Sequence, residues 1–369
     1  MKLVHVSQPV TAGVAVVVLD LAVAQRDRGW SVTIACPPSG WLAGRARELG
    51  IDVRGWAARR APGPGSVAEA LRLRRLLDDL DPDVVHLHSS KAGLAGRLAV
   101  RGGRPTVFQP HLWSFETAGG PLRRASAAWE RLASRWTDLV VCVSDDELAA
   151  GRAAGVTAEA EVVCNGVDTT RFVPGDRLAA RRRLGLPEHA PIAVCLGRLA
   201  ELKGQDQLLS AWPAVLRRLP DAQLVLAGDG PMGPVWRARH PVAGHASVRW
   251  PGHTDEPAAW YTAADVVVLP SRAEGMALVP LEAMACARPV VAFDVGGMRQ
   301  SVADAGAVLP PGDVGRLADA VAARLADPGL ARREGERGRR RVELSFDRGR
   351  MTDQIAALVD KLTPSERLS

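Results

Sequence analysis

The sequence contains no apolar run that approaches the ~18 residues a membrane-spanning helix needs. Residues 1–6 have the pattern of a strand rather than the charged and apolar segments of a secretory signal. With five Phe and one Tyr, the chain has little of the basic and aromatic interleaving that single-strand nucleic-acid binders use. These absences predict a cytoplasmic protein without a nucleic-acid partner.

Cysteine is scarce, and no pairing of cysteines is evident. The five cysteines are widely spaced, include no Cys-x-x-Cys pair and mostly lie in or beside apolar runs. This distribution is typical of buried thiols in a reducing compartment, so we expect neither a disulfide nor a cysteine-bound metal. The cysteines are Cys36, Cys142, Cys164, Cys195 and Cys286.

The net charge of +6 is compatible with a nucleic acid, an anionic membrane or a phosphorylated ligand, and it does not choose among them. Much of the excess is arginine. A run of six arginines within residues 332–341 is typical of a solvent-exposed helix face.

Short apolar strands alternate with longer helical patterns along the 369 residues. This alternation predicts parallel sheets with right-handed crossovers. Strands are predicted at residues 3–6, 32–35, 84–87, 106–108, 139–143 and 162–164, and again at 192–196, 224–227, 266–269 and 290–293. Helices are predicted at residues 14–28, 67–80, 205–219 and 348–362.

A turn-rich stretch at residues 165–168, followed by Pro174 and Gly175, separates two similar halves. We therefore predict an α/β protein with two Rossmann-like, doubly wound domains, residues 1–168 and 169–347. Ligands of open α/β sheets bind outside the carboxyl ends of the strands. The two domains are expected to face each other across a central cleft.

Residues 270–285 follow a predicted strand and open a helix, and they are the most informative stretch. Gly275 permits a tight loop in which the N–H groups of residues 276–278 can point at one anion, beside the positive end of the helix dipole. A carboxylate accepts hydrogen bonds and can bind two vicinal hydroxyls. Glu274 and Glu282 therefore suit a sugar and a ribose on either side of a diphosphate. The alternative is a loop charge at Glu274 and a solvent-facing helix residue at Glu282.

Arg198 and Lys203 lie at the end of the predicted strand 192–196. The surrounding residues lack the second and third glycines of a dinucleotide fingerprint. Arginine can bind phosphate through two hydrogen bonds, and lysine acts as a point charge. The pair therefore suits a phosphate group, with a surface salt bridge to Glu201 as the alternative.

Residues 274–285, residues 287–292 and the pair Gly296-Gly297 closely resemble the donor motif of family 4 glycosyltransferases. The resemblance covers nearly the whole chain, and that family consists of retaining, metal-independent enzymes with the GT-B fold. It implies a bacterial hexosyltransferase that moves a sugar from a nucleotide sugar, of UDP or GDP type, to an acceptor hydroxyl without a cofactor. The acceptor would be a polysaccharide or glycolipid precursor or a small natural product. The last segment, residues 348–369, would return to the first domain.

The resemblance also implies a role for individual residues. Glu274 would contact the donor sugar, Glu282 the ribose, and Arg198 with Lys203 the leaving diphosphate. Met276 and Ala277 stand where the family often has Phe and Gly, which leaves the fitting sugar open. The implied donor-binding residues are Gly13, Arg198, Lys203, Glu274, Gly275, Met276, Ala277, Leu278, Val279 and Glu282. The implied catalytic residues are His111, Arg198, Lys203 and Glu274.

His111 follows the predicted strand 106–108 and resembles the family's active-site histidine, with a structural histidine as the alternative. His86 and His88 alternate on one strand and therefore share a face. At least one of them is expected to be buried and hydrogen-bonded. Metal binding is discounted, because no carboxylate or cysteine lies near them in sequence.

The family resemblance places the nucleoside base against the turns at Gly228 and His253. Residues 121–136 form a basic, amphipathic pattern that would suit an anionic bilayer and a peripheral membrane contact. The plainer interpretation is a helix that packs Trp129 inward.

A sugar-nucleotide epimerase of the same fold and a non-catalytic binding protein stay open as alternatives. A nicotinamide oxidoreductase is disfavoured, because neither half contains its glycine fingerprint.

Overall fold

The computed structural model describes residues 1–61 and 63–363 of the chain. It divides into two compact units, which we call the first and second domains. The first domain consists of Met1–Asn165 together with the segment that begins at Arg348, and the second is Gly166–Asp347. The sequence places this boundary at residue 168, whereas the structure divides the chain after Asn165.

The first domain is built on a seven-stranded sheet with the order β3-β2-β1-β4-β5-β6-β7. Its strands are β1 (Lys2–Ser7), β2 (Ser31–Cys36), β3 (Asp52–Gly55), β4 (Val84–His88), β5 (Thr106–Gln109), β6 (Leu139–Cys142) and β7 (Ala160–Val162). Its helices are α1 (Ala12–Asp27), α2 (Trp41–Glu48), α3 (Ser66–Leu80), α4 (Ser89–Val100), α5 (Ser114–Thr117), α6 (Gly120–Ala133) and α7 (Asp145–Ala153).

The second domain repeats this plan with six strands in the order β10-β9-β8-β11-β12-β13. Its strands are β8 (Ile192–Leu196), β9 (Gln223–Ala227), β10 (Val248–Gly252), β11 (Val266–Leu269), β12 (Val290–Phe293) and β13 (Gly306–Leu309). Its helices are α8 (Arg177–Arg183), α9 (Gln205–Arg218), α10 (Met232–Arg239), α11 (Pro257–Ala263), α12 (Leu278–Ala285), α13 (Met298–Val302), α14 (Val314–Ala326) and α15 (Pro328–Ser345).

The last helix, α16 (Arg348–Asp360), packs on α1 of the first domain. Ion pairs of Arg28 with Asp353 and of Arg348 with Asp20 join the two helices. Met351 and Ile355 are buried on the inward face of α16, as the apolar stripe in its sequence predicts.

The paired strands of both sheets run parallel, and helices cover both faces of each sheet. The predicted α/β class with two doubly wound sheets is therefore confirmed. The central strands β8, β11 and β12 match their predicted bounds residue for residue. Each is a short apolar run with almost no exposure, as expected of strands covered on both faces.

The errors in strand prediction lie at the edges of the sheets. Strands β3, β10 and β13 were not predicted, and β7 covers Ala160–Val162 rather than residues 162–164. All four are edge strands. An edge strand has one open side and needs fewer apolar residues, so its sequence pattern is weak. Trp250, which the local Trp-Pro-Gly pattern places in a turn before His253, is part of β10.

The arginine run of α15 is only partly solvent-exposed, which corrects the predicted solvated face. Arg332 and Arg333 are exposed, but Arg337, Arg339 and Arg341 donate hydrogen bonds to backbone carbonyls of neighbouring segments. Those carbonyls belong to loops and helix ends that lack intrahelical donors. The five cysteines are free thiols, four of them buried, as the apolar runs around them predict, and Cys164 half-buried.

None of the helices formed by residues 1–61 and 63–363 combines the length and apolarity needed to cross a bilayer. The amphipathic helix α6 instead lies on the first domain. Trp129 is half-buried, and the Arg97 guanidinium lies 5.7 Å from the centre of its ring. Leu122 is 63% exposed and Leu132 is 41% exposed, so α6 keeps an apolar outer surface.

A buried ion pair fixes α6 to α4. The Arg97 Nη2 atom lies 2.6 Å from Glu130 Oε2, and both side chains are 2% exposed. Arg97 also donates to the Gly93 carbonyl and packs over the Phe108 ring. Removing one partner of such a pair leaves an uncompensated buried charge.

We expect Arg97→Met to lower the free energy of unfolding by about 3–5 kcal/mol, because Glu130 then stays buried without its cation. Urea unfolding followed by circular dichroism measures the change. The double variant Arg97→Met/Glu130→Leu, which removes both charges, should recover most of the loss. A loss below about 1 kcal/mol in the single variant would contradict a stabilising pair.

Candidate functional site

The loops that follow β8, β9 and β10 meet at the carboxyl edge of the second sheet. The Leu199 N–H donates to the Asp229 carbonyl, and the Gly228 N–H donates to the Gly252 carbonyl. The Asp229 carboxylate accepts a hydrogen bond of 3.1 Å from the His253 N–H. The structure therefore brings Gly228 and His253 together, although they are distant in sequence.

The loop that follows β8 also lies directly against the loop that follows β11. Gly204 has a φ of +66°, and a Cβ atom at this position would lie 1.9 Å from the Pro270 carbonyl oxygen. Only glycine allows this close backbone approach. Arg272 strengthens the contact, because its guanidinium donates two hydrogen bonds, of 2.9 and 2.6 Å, to the Asp206 carboxylate.

This contact places Lys203 beside Glu274. The Lys203 Nζ atom lies 2.6 Å from Glu274 Oε1, and the Ser271 hydroxyl donates to the same oxygen at 2.7 Å. The Glu274 side chain is only 10% exposed. The alternative salt bridge of Lys203 with Glu201 is therefore wrong. Arg198 is exposed at the end of β8.

The loop before α12 is shaped by Gly296 rather than by Gly275, which corrects the sequence interpretation. Gly275 is not among the residues with a positive φ, whereas Gly296 has a φ of +52°. A Cβ atom on Gly296 would lie 2.1 Å from the Glu274 carbonyl oxygen. The Gly297 N–H donates to the Gly275 carbonyl at 2.7 Å. The following loop therefore supports the segment that carries Glu274.

Helix α12 begins at Leu278, after Ala277 at its N-cap position. Its first N–H groups have no partner within the helix, so they and the helix dipole favour an anion at this end. The Met276 side chain is buried, whereas Ala277, Leu278 and Val279 are half-buried. The main chain of residues 277–279 is therefore the part suited to contact a ligand.

Glu282 is not a solvent-facing helix residue, which excludes the alternative considered from the sequence. It is half-buried, and its Oε2 atom accepts a hydrogen bond of 2.6 Å from the Tyr261 hydroxyl. Tyr261 is fully buried, and burial together with the adjacent Glu282 carboxylate raises the pKa of the phenol well above its usual value. Tyr261 is the only tyrosine in the sequence, and sequence reasoning missed it.

In the first domain, four histidines form a polar layer at β1, β4 and β5. His5 pairs with His86 in the sheet register, and His88 lies on the same face. The His5 Nδ1 atom lies 2.9 Å from His88 Nε2, and His88 Nδ1 lies 3.1 Å from His111 Nε2. The other ring nitrogen of His5 lies 2.7 Å from Gln25 Oε1. We call these five residues the histidine chain.

The hydrogen-bond chemistry of Gln25 sets the direction of this chain. An amide oxygen only accepts, so His5 Nε2 must donate to it. The bare Nδ1 atom of His5 then accepts from His88, and His88 in turn accepts from His111. The imidazoles of His5, His88 and His111 each use their single proton in this way, and Nδ1 of His111 is left as an acceptor.

Burial keeps the rings of the chain neutral. It lowers the pKa of His5 to about 4 and the pKa of His111 to about 3. Burial also lowers the pKa values of His86 and His88 well below the usual value. The expectation of at least one buried, hydrogen-bonded histidine is confirmed by His88. His86 is equally buried, but its ring nitrogens have no hydrogen-bond partner among the described residues.

Ring nitrogens of His5, His86 and His88 lie within 4.8 Å of one another and could in principle hold a metal ion. Sequence reasoning considered only His86 and His88, because His5 lies far away in the chain and joins them through the register of β1 and β4. The group contains no anionic ligand, and hydrogen bonds already satisfy His5 and His88. We therefore assign a hydrogen-bonding role to His5 and His88. Gly13 lies in the first turn of α1 and is half-buried.

Two Rossmann-like parallel-sheet domains, the second with cations and carboxylates at its carboxyl edge, define a GT-B protein. Residues 11–171 match the family model described as "Glycosyltransferase Family 4", and residues 190–327 match that of "Glycosyl transferases group 1". The chain belongs to the family 4 glycosyltransferases and is a transferase.

The chain is similar to named bacterial enzymes along most of its length. It is 33% identical over 334 residues to the GDP-mannose-dependent alpha-(1-6)-phosphatidylinositol monomannoside mannosyltransferase of Mycobacterium tuberculosis, with 85% of each chain covered. It is 34% identical to the D-inositol 3-phosphate glycosyltransferase of Actinosynnema mirum over 326 residues, which are 79% of this chain and 78% of that protein. Anabaena HepE, solved in complex with UDP-glucose, has a TM-score of 0.85 at 22% identity, with 98% and 100% of the chains covered.

The histidine chain makes stability depend on pH. The unfolded chain binds a proton near pH 6.5, whereas buried His5 does so only near pH 4. Between pH 6.5 and pH 4 the unfolded state binds more protons than the folded state. The free energy of unfolding should therefore fall as the pH drops below 6.5. The slope is about 1.4 kcal/mol per pH unit for each such imidazole.

Urea unfolding at a series of pH values between 7 and 5 measures this slope. His86→Leu removes one buried imidazole and should flatten the dependence, whereas Leu344→Ala, an exposed and non-titrating change on α15, should leave it unchanged. An equal slope in both variants would show that the buried rings are not its source.

Proposed function

We propose that the protein is a retaining glycosyltransferase that moves a sugar from a nucleotide-diphosphate sugar to an acceptor hydroxyl. The observation that carries the proposal is the convergence of Lys203 and Glu274 beside the N-terminus of α12. A cation and free peptide N–H groups suit a diphosphate. A carboxylate with little exposure suits the hydroxyls of the attached sugar.

Each part of the donor would then contact its own group of residues. The diphosphate would lie against Arg198, Lys203 and the main chain of residues 277–279. Glu274 would accept hydrogen bonds from the sugar hydroxyls, as it accepts one from Ser271 in the structure. Glu282, held by Tyr261, would bind the ribose.

The remaining proposed contacts involve the loops that follow β9 and β10 and two residues of the first domain. The base would contact the loops of Gly228 and His253, which the Asp229 carboxylate connects. Gly13 would bring its backbone close to the donor phosphate. His111, with a bare Nδ1 atom, would accept a hydrogen bond near the donor sugar and the incoming hydroxyl.

The reaction replaces the bond between the anomeric carbon and the diphosphate oxygen with a bond to the acceptor oxygen. The acceptor hydroxyl attacks the face from which the diphosphate departs, and a departing phosphate oxygen takes its proton. This same-face attack retains the anomeric configuration. Catalysis rests on stabilising the negative charge of the leaving diphosphate.

We propose that no metal ion or other cofactor assists this step. A metal would serve to neutralise the diphosphate, and Arg198, Lys203 and the helix dipole of α12 supply positive charge at that position. Lys203 is neutralised by Glu274 in the structure, so donor hydroxyls that bind Glu274 would leave the ammonium group to the phosphates.

The named relatives support a GDP- or UDP-type donor and a polyol or lipid-linked acceptor. One is named for GDP-mannose and phosphatidylinositol monomannoside, another for inositol 3-phosphate, and HepE was solved with UDP-glucose. None of these three names describes an epimerase, so transfer to an acceptor is the function that they favour.

Arg198→Ala and Lys203→Ala should each lower kcat by about 10²–10³ at saturating donor, because each removes positive charge from the leaving diphosphate. Steady-state release of nucleoside diphosphate measures the rate. Arg217→Ala, an exposed change on α9, serves as the matched control and should keep normal turnover. Near-normal kcat in either site variant would contradict the proposed leaving-group role.

We further propose a cytoplasmic enzyme that contacts the membrane peripherally through α6. Its outer surface combines exposed Leu122 with exposed Arg123 and Arg124. Apolar side chains beside arginines suit the boundary between acyl chains and anionic headgroups. This orientation would present a lipid-linked acceptor to the enzyme.

The intact protein should co-sediment with vesicles that contain anionic phospholipid at low salt and should not co-sediment with purely zwitterionic vesicles. The variant Leu122→Ser/Arg123→Ser/Arg124→Ser should lose most of this binding. A matched exposed change, Arg217→Ser on α9, should not affect it. If the unmodified protein does not co-sediment with anionic vesicles at low salt, the proposed membrane contact is wrong.

A further inference from the structure

A large cavity lies in the second domain, at the sheet edge opposite the candidate donor site. Pro191, Asp265 and Pro289 line it, and each directly precedes a central strand: β8, β11 and β12 respectively. The donor-site residues follow the strands, whereas these residues precede them. The cavity has a volume of about 810 Å³, within the range of about 300–1,000 Å³ for small-molecule sites.

The cavity wall carries more arginines than carboxylates, and two of these arginines, Arg324 and Arg339, are paired with Glu334 and Glu343 outside the wall. Seven arginines line the cavity, against the three carboxylates of Glu188, Asp265 and Glu336. Part of this excess has a structural cause. The helices end at this sheet edge, and their last carbonyls lack intrahelical donors. Arg181 and Arg339 satisfy some of them through the carbonyls of Ala263 and Ala285.

Both carboxylate oxygens of Asp265 already accept hydrogen bonds from other groups of the protein. Its Oδ1 atom accepts from Arg177, and its Oδ2 atom accepts from Arg181 at 2.7 Å and from the Ile192 N–H at 2.7 Å. A third guanidinium, that of Arg288, lies close enough to interact electrostatically with the same carboxylate. The single negative charge of Asp265 is therefore shared among three guanidinium groups.

Arg288 is a cavity arginine with a hydrogen-bond donor that is unsatisfied within the described part of the chain. One terminal nitrogen donates to the Thr262 carbonyl at 2.8 Å. Its Nε atom is buried and has no hydrogen-bond partner among the described residues. A buried donor without an acceptor is destabilising. Burial also lowers the pKa of Arg288, as expected of a guanidinium whose charge is poorly compensated.

Arginines on α15 extend this donor set along the cavity wall. Arg332 and Arg340 are eight residues apart on α15 and both line the cavity. Arg332 has a distant pair with Glu336 at 4.0 Å. Arg340 is exposed and makes no hydrogen bond or ion pair with any residue that the structure describes. The two arginines could therefore turn toward a ligand without breaking a strong internal contact.

We propose that this cavity is a second anion site, which binds a small molecule that carries a pyrophosphate or a phosphate ester through Arg288 and Arg340. Guanidinium groups bind phosphate oxygens through paired, charge-assisted hydrogen bonds. An anion here would add to Arg288 and its neighbours the negative charge that Asp265 cannot provide alone. The site is separate from the donor site, and its existence does not depend on the proposed transfer reaction.

Isothermal titration with inorganic pyrophosphate, in phosphate-free buffer at low salt, tests the site. The variant Arg198→Ala/Lys203→Ala serves as the background, because it weakens the candidate donor site. Pyrophosphate should still bind this variant. Adding Arg288→Gln and Arg340→Gln should weaken that binding by at least tenfold, whereas adding Arg333→Gln, on α15 outside the cavity wall, should change it less than twofold.

Arg340→Gln alone separates ligand binding from folding, because Arg340 is exposed and its substitution should leave the melting temperature unchanged. It should weaken pyrophosphate binding severalfold on the same background. The proposal is overturned if pyrophosphate does not bind the Arg198→Ala/Lys203→Ala background, or if the cavity variants bind as tightly as the Arg333→Gln control. Normal transfer kinetics in Arg340→Gln would leave the donor-site proposal intact in either case.

Discussion

The parallel arrangement of the strands is the constraint on which the candidate donor site depends. Parallel neighbours require helical crossovers, so each loop that follows a strand of one sheet lies at the same edge. Lys203 and Glu274 are 71 residues apart in sequence, and the adjacency of β8 and β11 brings them into contact. Gly204 then permits the two loops to touch through their main chains.

In the first domain, the register of parallel strands produces a layer of buried histidines. The register of β1 with β4 stacks imidazoles on one face of the sheet, where an apolar layer would be usual. Burial keeps these rings neutral, and a single amide oxygen, that of Gln25, orients the hydrogen bonds of the chain. The tautomer of His111 at the end of β5 is therefore set by a residue on α1.

How well the fold could be predicted depended on the position of each strand in its sheet. Central strands such as β8, β11 and β12 are covered on both faces, so their sequences are continuous apolar runs with sharp limits. Edge strands β3, β10 and β13 contain Arg, Pro or Gly and satisfy backbone groups on one side only. Their local sequence resembles that of loops, and only the neighbouring strand shows that they are paired.

The sequence by itself determined the α/β class, the family resemblance and the residues that carry charge at the site, because strand periodicity and the Glu274–Glu282 motif are local features. The tertiary structure alone revealed the partners of those residues. Ser271, Tyr261 and His5 act through hydrogen bonds whose geometry depends on strand register and helix packing. Such contacts join segments that are distant in the chain, and no local pattern encodes the distance between them.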